Sequence, residues 1–286
     1  MTRNRTKNRK GSNHFANFPA QHLLIHPGLI HEMIALARIG PRDTAVDIGA
    51  GTGAITLPLT RVAARVIAVE NDPEYIRKLT TKMRDVHNVS IRQADVLMMG
   101  MPKQPFIVVA NIPYSITTPI FGKLFDHPQL PVQRAVLIIE KGAARRFTAN
   151  PITDPRILKW RMYYDFRLVR TVSPSYFSPP PRVESAVIIV ERKRNPLIPY
   201  KDHGRFMALA SQALKAPMAS FYTAVAGIFT PGQIKHLVRT LKIHKDLPVS
   251  SLNERQWGEL FMAMLQYVEP HRWPKKPKPN HQNRWR

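Results

Sequence analysis

The chain has 286 residues, enough for one large domain with a smaller one beside it, and its 44% hydrophobic and 22% charged residues are ordinary for a globular protein. It has no cysteine, which excludes a disulfide framework and a thiolate metal site. No apolar run approaches the roughly 18–20 residues of a membrane span, and the basic N-terminus lacks the apolar stretch of a secretory signal. The expectation is a soluble, cytoplasmic, monomeric protein with neither metal nor membrane partner. Charge is the distinguishing quantity, 43 Lys and Arg against 19 Asp and Glu, a net of +24. Residues 1–31 carry five basic residues and no acid, and residues 270–286 carry six and no acid, so thirteen excess positive charges remain for the body between them. An excess spread that widely suits a polyanion, because each phosphate neutralised releases condensed counterions.

Residues 1–20 lack apolar periodicity and read as a flexible basic arm. LIHEMIALARI (29–39) has helical spacing. TAVDIGAGTG (44–53) is an apolar strand running into a glycine loop, and AITLPLTRVA (54–63) reads as a helix despite Pro58. RVIAVEND (65–72) is a second strand, followed by the helix PEYIRKLTTKMRDV (73–86), opened by Asp72 as N-cap and by Pro73. VSIRQAD (89–95) and PFIVVANIPY (105–114) are further strands, TTPIFGKLFDH (117–127) a helix and RAVLIIEKG (134–142) a fifth strand. Strands alternating with helices predict a doubly wound, parallel α/β sheet. YYDFRLVRTVS (163–173) and VESAVIIVERK (183–193) form a late pair of strands around the proline-rich turn SYFSPPPR (175–182). GRFMALASQALKA (204–216), TPGQIKHLVRTLKI (230–243) and NERQWGELFMAMLQYV (253–268) are helical. The expected organisation is an arm at 1–20, an α/β domain at 21–194, a small helical domain at 195–270 and a basic flexible tail at 271–286.

Gly49, Gly51 and Gly53 follow the strand AVDI directly, where glycine lets the chain turn sharply and lets a ligand press on the backbone. The spacing Gly49-x-Gly51-x-x-Ala54 also satisfies a loose dinucleotide fingerprint, so a nicotinamide enzyme is one reading. Glu70, 19 residues beyond Gly51, suits an acid holding ribose hydroxyls in either case. Asp95 ends the third strand, placed either to accept from an adenine amino group or to cap the segment after it. The carboxyl ends of successive strands are where open α/β sheets bind ligands.

Asn111-Ile112-Pro113-Tyr114 ends the fourth strand. An adenine amino nitrogen is a poor nucleophile because its lone pair is delocalised into the ring. A side-chain carbonyl at Asn111 and the backbone carbonyl of Ile112 can accept its two hydrogens and turn the lone pair outward. Pro113 stiffens the turn and offers no competing N–H, and Tyr114 offers an aromatic face for an extruded base. The bland alternative is a strand-to-turn junction with a buried tyrosine.

On these residues the chain resembles the ribosomal RNA adenine-N6 methyltransferases, which include the Erm macrolide-resistance enzymes and the small-subunit rRNA dimethyltransferases. The resemblance spans about residues 18–270. It rests on Gln21-His22-Leu23-Leu24, DIGAGTG, VEND, QADV, NIPY with SITTPI after it, and YFSPPPRVESAV. It implies a Rossmann-like methyltransferase sheet with a small C-terminal helical domain that binds RNA. It further implies S-adenosylmethionine as cofactor, contacted by His22, Leu24, Gly49, Gly51, Glu70, Asp95 and Asn111, with Tyr114 and Phe177 sandwiching the target adenine. EKGAARRFT (140–148), WRMYYDF (160–166), QWGELFMAM (256–264) and the WPKKPK tail are similar to the Erm branch, which implies 23S ribosomal RNA as partner and antibiotic resistance as outcome. His22 departs from the asparagine usual in the superfamily. Arg134, Lys141, Arg145, Arg146, Lys159 and Arg161 are candidate phosphate contacts. Small-subunit rRNA methylation and a non-catalytic nucleic-acid-binding relative are the alternatives.

Overall fold

The computed structural model describes residues 22–275; the basic arm, Gln21 and the tail from residue 276 lie outside them. Nine strands and ten α-helices occur among the described residues. Strand β1 (Leu23–Leu24) and helix α1 (Pro27–Ala37) precede β2 (Thr44–Ile48), α2 (Thr56–Thr60), β3 (Arg65–Glu70), α3 (Pro73–Lys82), β4 (Val89–Gln93) and β5 (Phe106–Asn111). After these come α4 (Thr117–Phe125), β6 (Val132–Glu140), α5 (Lys141–Thr148), α6 (Pro155–Arg161), β7 (Tyr164–Val172), β8 (Phe177–Ser178) and β9 (Ser185–Arg192). Helices α7 (His203–Ala213), α8 (Phe221–Val225), α9 (Pro231–Thr240) and α10 (Glu254–Tyr267) complete the chain.

Seven strands form one sheet in the order β4-β3-β2-β5-β6-β9-β7. Pairing is parallel from β4 to β6, and β9 lies antiparallel between β6 and β7. The sheet is therefore mixed at the end built by the late pair of strands. Strand order reverses beside β2, between β3 and β5, and that switch point is where such sheets open a crevice.

The central strands read as unbroken apolar runs because both faces are covered. Their period of two sorts side chains to the two sides. Ile107, Val109, Val136 and Ile138 face a cluster with Leu29, Ile30 and Met33 of α1. Val108, Ala110, Leu137 and Ile139 face Ile120, Phe121 and Phe125 of α4. The second cluster continues through Leu158 and Trp160 into Phe206, Trp257 and Phe261, so the C-terminal helices share the core of the sheet.

Several expected elements are shorter than their patterns. Helix α1 stops at Ala37 because Arg38 takes a left-handed conformation, φ +53°, and donates its backbone N–H to Ala35. Helix α2 keeps only five residues around Pro58. Strand β6 ends at Glu140, so Lys141 and Gly142 open α5 rather than extend the strand. Asp72 does cap α3, its Oδ1 accepting from Glu74 N at 2.7 Å.

Candidate active site

One cavity opens at the carboxyl ends of β2, β3 and β5. Its wall contains His22, Gly49, Glu70, Asp95, Asn111, Ile112 and Tyr114, which the sequence spreads over 93 positions. Gly49 sits in the wall at φ +72°, a conformation that costs an L side chain strain. Gly51 is at φ +51°, and a Cβ there would lie 2.9 Å from Leu23 Cδ2.

Glu70 shapes this loop as well as facing the cavity. Its Oε2 accepts from Gly51 N at 2.8 Å, and its Oε1 accepts from Asn71 N at 2.8 Å and Asp72 N at 2.9 Å. A carboxylate has about four acceptor positions, so one stays available to a ligand. Asp95 Oδ1 accepts from Leu97 N at 2.8 Å, closing a turn while the residue lines the cavity. The capping reading of Asp95 is thus observed, and the residue stands in the cavity wall, where the other reading would need it. Behind the loop, burial pushes the Asp47 carboxyl up to about 7, while the Thr56 hydroxyl donating to its Oδ2 at 2.6 Å works in the opposite direction.

Asn111 is oriented by the segment that precedes α1. Its Nδ2 donates to the His22 carbonyl at 2.8 Å. A carbonyl only accepts, so Nδ2 must face it, and Oδ1 is turned away from it. His22 is itself fixed, its ring Nδ1 donating to Pro179 O at 2.7 Å, which leaves Nε2 as the ring's remaining polar atom. Strand β1 pairs with β8, Leu24 opposite Phe177, and this joins residues 22–25 to the proline-rich turn. The His22 ring lies 6.0 Å from the Tyr114 ring, and the Tyr114 hydroxyl is bonded to Ser185 Oγ. Burial pushes the Tyr114 phenol up, against the Ser185 hydrogen bond, and the charge of Glu140 adds to the rise.

Other expected site residues lie elsewhere. Leu24 is buried in the cluster beneath α1, and Leu23 is the one that lines the cavity. Phe177 is 2% exposed in that same cluster and does not line the cavity, so the structure does not place it opposite Tyr114. Its partner across β1–β8 is Leu24, and apolar packing holds the ring there.

Three expected phosphate contacts are internal ion pairs. Arg134 Nη1 meets Glu191 at 2.6 Å and its Nε donates to Leu36 O. Arg161 Nη2 meets Glu254 at 2.6 Å and its Nη1 donates to Ala149 O, tying α6 to α10. Lys159 is buried and donates to Asp126 Oδ1 at 3.0 Å. These buried cations are matched inside the protein and serve as tertiary ties, not as the phosphate contacts expected from the sequence. Lys141 pairs with Glu184, whereas Arg145 and Arg146 are exposed, and Arg146 Nη2 donates to Thr118 Oγ1 at 2.8 Å, just after the Asn111–Tyr114 turn.

Asp126 is a hub that sequence reading missed. It ends α4, the helix following Asn111–Tyr114, and accepts from Arg156, Lys159 and Trp160 of α6. Gly122 makes room, since a Cβ there would lie 2.0 Å from Arg156 Nη2. Burial alone would raise the Asp126 carboxyl, but the Arg156 hydrogen bond, the Lys159 and Arg156 charges and the Trp160 N–H outweigh it and hold it at about 2. A carboxylate depressed in the folded state stabilises above its unfolded pKa and loses that contribution as pH falls through the folded value. The difference in unfolding free energy between wild type and Asp126→Asn, measured by urea titration, should therefore shrink by about 2 kcal/mol between pH 5 and pH 2.

The donor set fits the nucleoside cofactor of a methyltransferase. Glu70 keeps an acceptor for ribose hydroxyls, Asp95 faces the cavity with a carboxylate, and the loop at Gly49 lets a ligand approach the backbone. The fold and this site together fit a methyltransferase that uses S-adenosylmethionine. Residues 13–266 match the model of the ribosomal RNA adenine dimethylase family, and the chain belongs to that family.

An rRNA adenine N-6-methyltransferase of Bacillus licheniformis is 42% identical over 262 residues, covering 92% of this chain and 91% of that relative. A protein of the same name from Bacteroides fragilis is 31% identical, covering 88% and 94%. The ribosomal RNA small subunit methyltransferase A of a Synechococcus strain is also 31% identical, covering 86% and 91%. The fold matches the crystal structure of the 23S rRNA methyltransferase ErmE with a TM-score of 0.76 at 22% identity, over 85% of this chain and 100% of that one. A dimethyladenosine transferase of Plasmodium falciparum matches with a TM-score of 0.70 at 22% identity, over 86% and 98%.

Proposed function

We propose that the chain methylates N6 of one adenine in 23S ribosomal RNA and so confers resistance to macrolides, lincosamides and type B streptogramins. The observation that carries this reading is the orientation of Asn111. Its Nδ2 is bonded to the His22 carbonyl, so its Oδ1 is the polar atom left for a base entering the cavity. When bound, S-adenosylmethionine supplies an electrophilic methyl group on a sulfonium. Asn111 Oδ1 and the Ile112 carbonyl accept the two amino hydrogens of the adenine, so that the nitrogen lone pair faces the cofactor side of the cavity. Tyr114 stacks on the base and holds it at that angle. Orientation carries most of the barrier reduction, and no strong base is needed because the methylated nitrogen sheds its proton readily.

Arg145 and Arg146 grip phosphates beside the extruded nucleotide. Arg146 suits this role because it is exposed, has no carboxylate within ion-pair distance among the described residues, and is held by Thr118. The helices of residues 195–270 add a second RNA surface, with Lys235, Arg239 and Lys242 exposed at i, i+4 and i+7 along and just after α9. The Erm-like segments at 140–148 and 256–264 favour the 23S target.

The second reading, small-subunit rRNA dimethylation, is favoured by the Synechococcus relative. Expression in a macrolide-sensitive bacterium separates the two. The expected result is joint resistance to the three drug classes, absent for Asn111→Ala. Added methyl groups remove a hydrogen-bond donor and fill space at the drugs' contact, and a polar group left desolvated and unpaired costs about 1–3 kcal/mol. Unchanged sensitivity, with small-subunit methylation restored in a deficient strain, would favour the second reading.

A further inference from the structure

Strand β9 runs antiparallel to β6, so its first residue lies at the sheet edge where the parallel strands end and the cavity opens. Ser185 is that residue. From Ser185 to Val190 every side chain is buried, and Ser185 is the one polar member of the run. A hydroxyl buried in an apolar strand is costly unless it is bonded. The bond goes to the Tyr114 hydroxyl, 71 residues away in sequence.

The two partners differ in how firmly they are held. Ser185 pairs through its backbone with Glu140 on one side and Val172 on the other, inside the rigid part of the sheet. Tyr114 opens a short 3-10 turn, Tyr114–Ile116, after Pro113, and is only partly buried. Pro113 fixes the backbone entering the turn but leaves the side-chain torsions of Tyr114 free. A bond at the far end of the ring removes that freedom.

We infer that Ser185 is a positioning residue for methyl transfer: its hydroxyl tethers Tyr114, so that the ring presents a fixed plane to the incoming adenine. Ser185 does not line the cavity and acts through Tyr114. The inference rests on the reading of Tyr114 as the stacking platform. It also gives the serine of the VESAV segment a reason to stand where the strand pattern would place another apolar residue.

The test is single-turnover methylation of an RNA fragment carrying the target adenine, with wild type, Ser185→Ala, Ser185→Thr, Tyr114→Phe, Tyr114→Ala and the Ser185→Ala/Tyr114→Phe double variant. Ser185→Ala and Tyr114→Phe should each slow the step about tenfold, the factor set by one ordinary hydrogen bond. The double variant should be no slower than either single one, since both remove the same bond. Ser185→Thr keeps the hydroxyl and should recover most of the rate. S-adenosylmethionine affinity should stay close to wild type in the Ser185 and Tyr114→Phe variants, and so should the thermal midpoint of Ser185→Ala and of the double variant, which leave no hydroxyl buried and unpaired at Ser185; a merely structural role would not allow this.

A wild-type rate for Ser185→Ala, multiplicative losses in the double variant, or a parallel fall in cofactor affinity would each overturn the tether. If Tyr114→Ala lost activity while Ser185→Ala kept it, the tether alone would fall. If Tyr114→Ala also kept the full rate, the stacking reading would fall and the tether with it.

Discussion

Asn111→Ala should lower methyl transfer by about a thousandfold, the upper range for removing one preorganised polar group aimed at a developing charge. The variant loses the carbonyl that accepts an amino hydrogen. It also loses the N–H that fixes the His22 carbonyl at 2.8 Å. RNA affinity should change little, because the phosphate contacts lie on other residues, so the loss should fall on kcat rather than KM. Asn111→Asp is the informative companion. It keeps an acceptor but would set a carboxylate against the His22 carbonyl, two acceptors face to face, and should be nearly as impaired. Single-turnover rates with saturating cofactor measure both. An Asn111→Ala variant within tenfold of wild type would mean that the amide does not orient the base.

Glu70→Gln should weaken S-adenosylmethionine binding by about ten- to a hundredfold, the equivalent of losing a charge-assisted hydrogen bond worth about 1.5–3 kcal/mol. The carboxylate accepts from three backbone N–H groups at 2.8–2.9 Å and still faces the cavity. An amide in its place must point NH2 at either Gly51 N or the Asn71 and Asp72 pair, setting donor against donor. The glycine loop should therefore loosen as the ribose acceptor weakens, and the unfolding free energy should fall as well. Calorimetric titration with the cofactor and urea denaturation give the two numbers. Unchanged affinity in a folded variant would remove Glu70 from the cofactor site.

The sheet was legible because its signals are local. Apolar runs alternating with helical patterns mark strands within 44–53, 65–72, 89–95 and 105–114, and the strands form at Thr44–Ile48, Arg65–Glu70, Val89–Gln93 and Phe106–Asn111, each ending within two residues of a candidate functional residue. Glu70, Asp95 and Asn111 could be read because the carboxyl ends of parallel strands converge wherever the order reverses. His22 was legible only through resemblance, since nothing near it in sequence shows that its backbone carbonyl holds Asn111.

What could not be read depends on partners far along the chain. Lys159 and Arg161 look like any other members of a basic stretch, yet Asp126 and Glu254 stand 33 and 93 residues away. Arg156, Lys159 and Trp160 recur at i, i+3 and i+4, a spacing that marks one helix face, but the acceptor they share is invisible from that spacing alone. The family resemblance implies a base-stacking ring at Phe177. Its register opposite Leu24 places it in the core beneath α1, and no local pattern sets a two-residue strand. Ser185 did carry a signal, a lone polar residue opening a run of buried aliphatics, and that signal acquires meaning only when Tyr114 is found across from it.

Mapping methylated adenines after incubation with deproteinised total ribosomal RNA and labelled S-adenosylmethionine tests the central claim most directly. The account predicts label at one adenine of 23S RNA, recovered as N6-methylated adenosine and absent with Asn111→Ala. Label confined to small-subunit RNA would contradict the 23S assignment, and label at any atom other than an adenine N6 would contradict the reading of Asn111, Ile112 and Tyr114 as the site that presents the amino group.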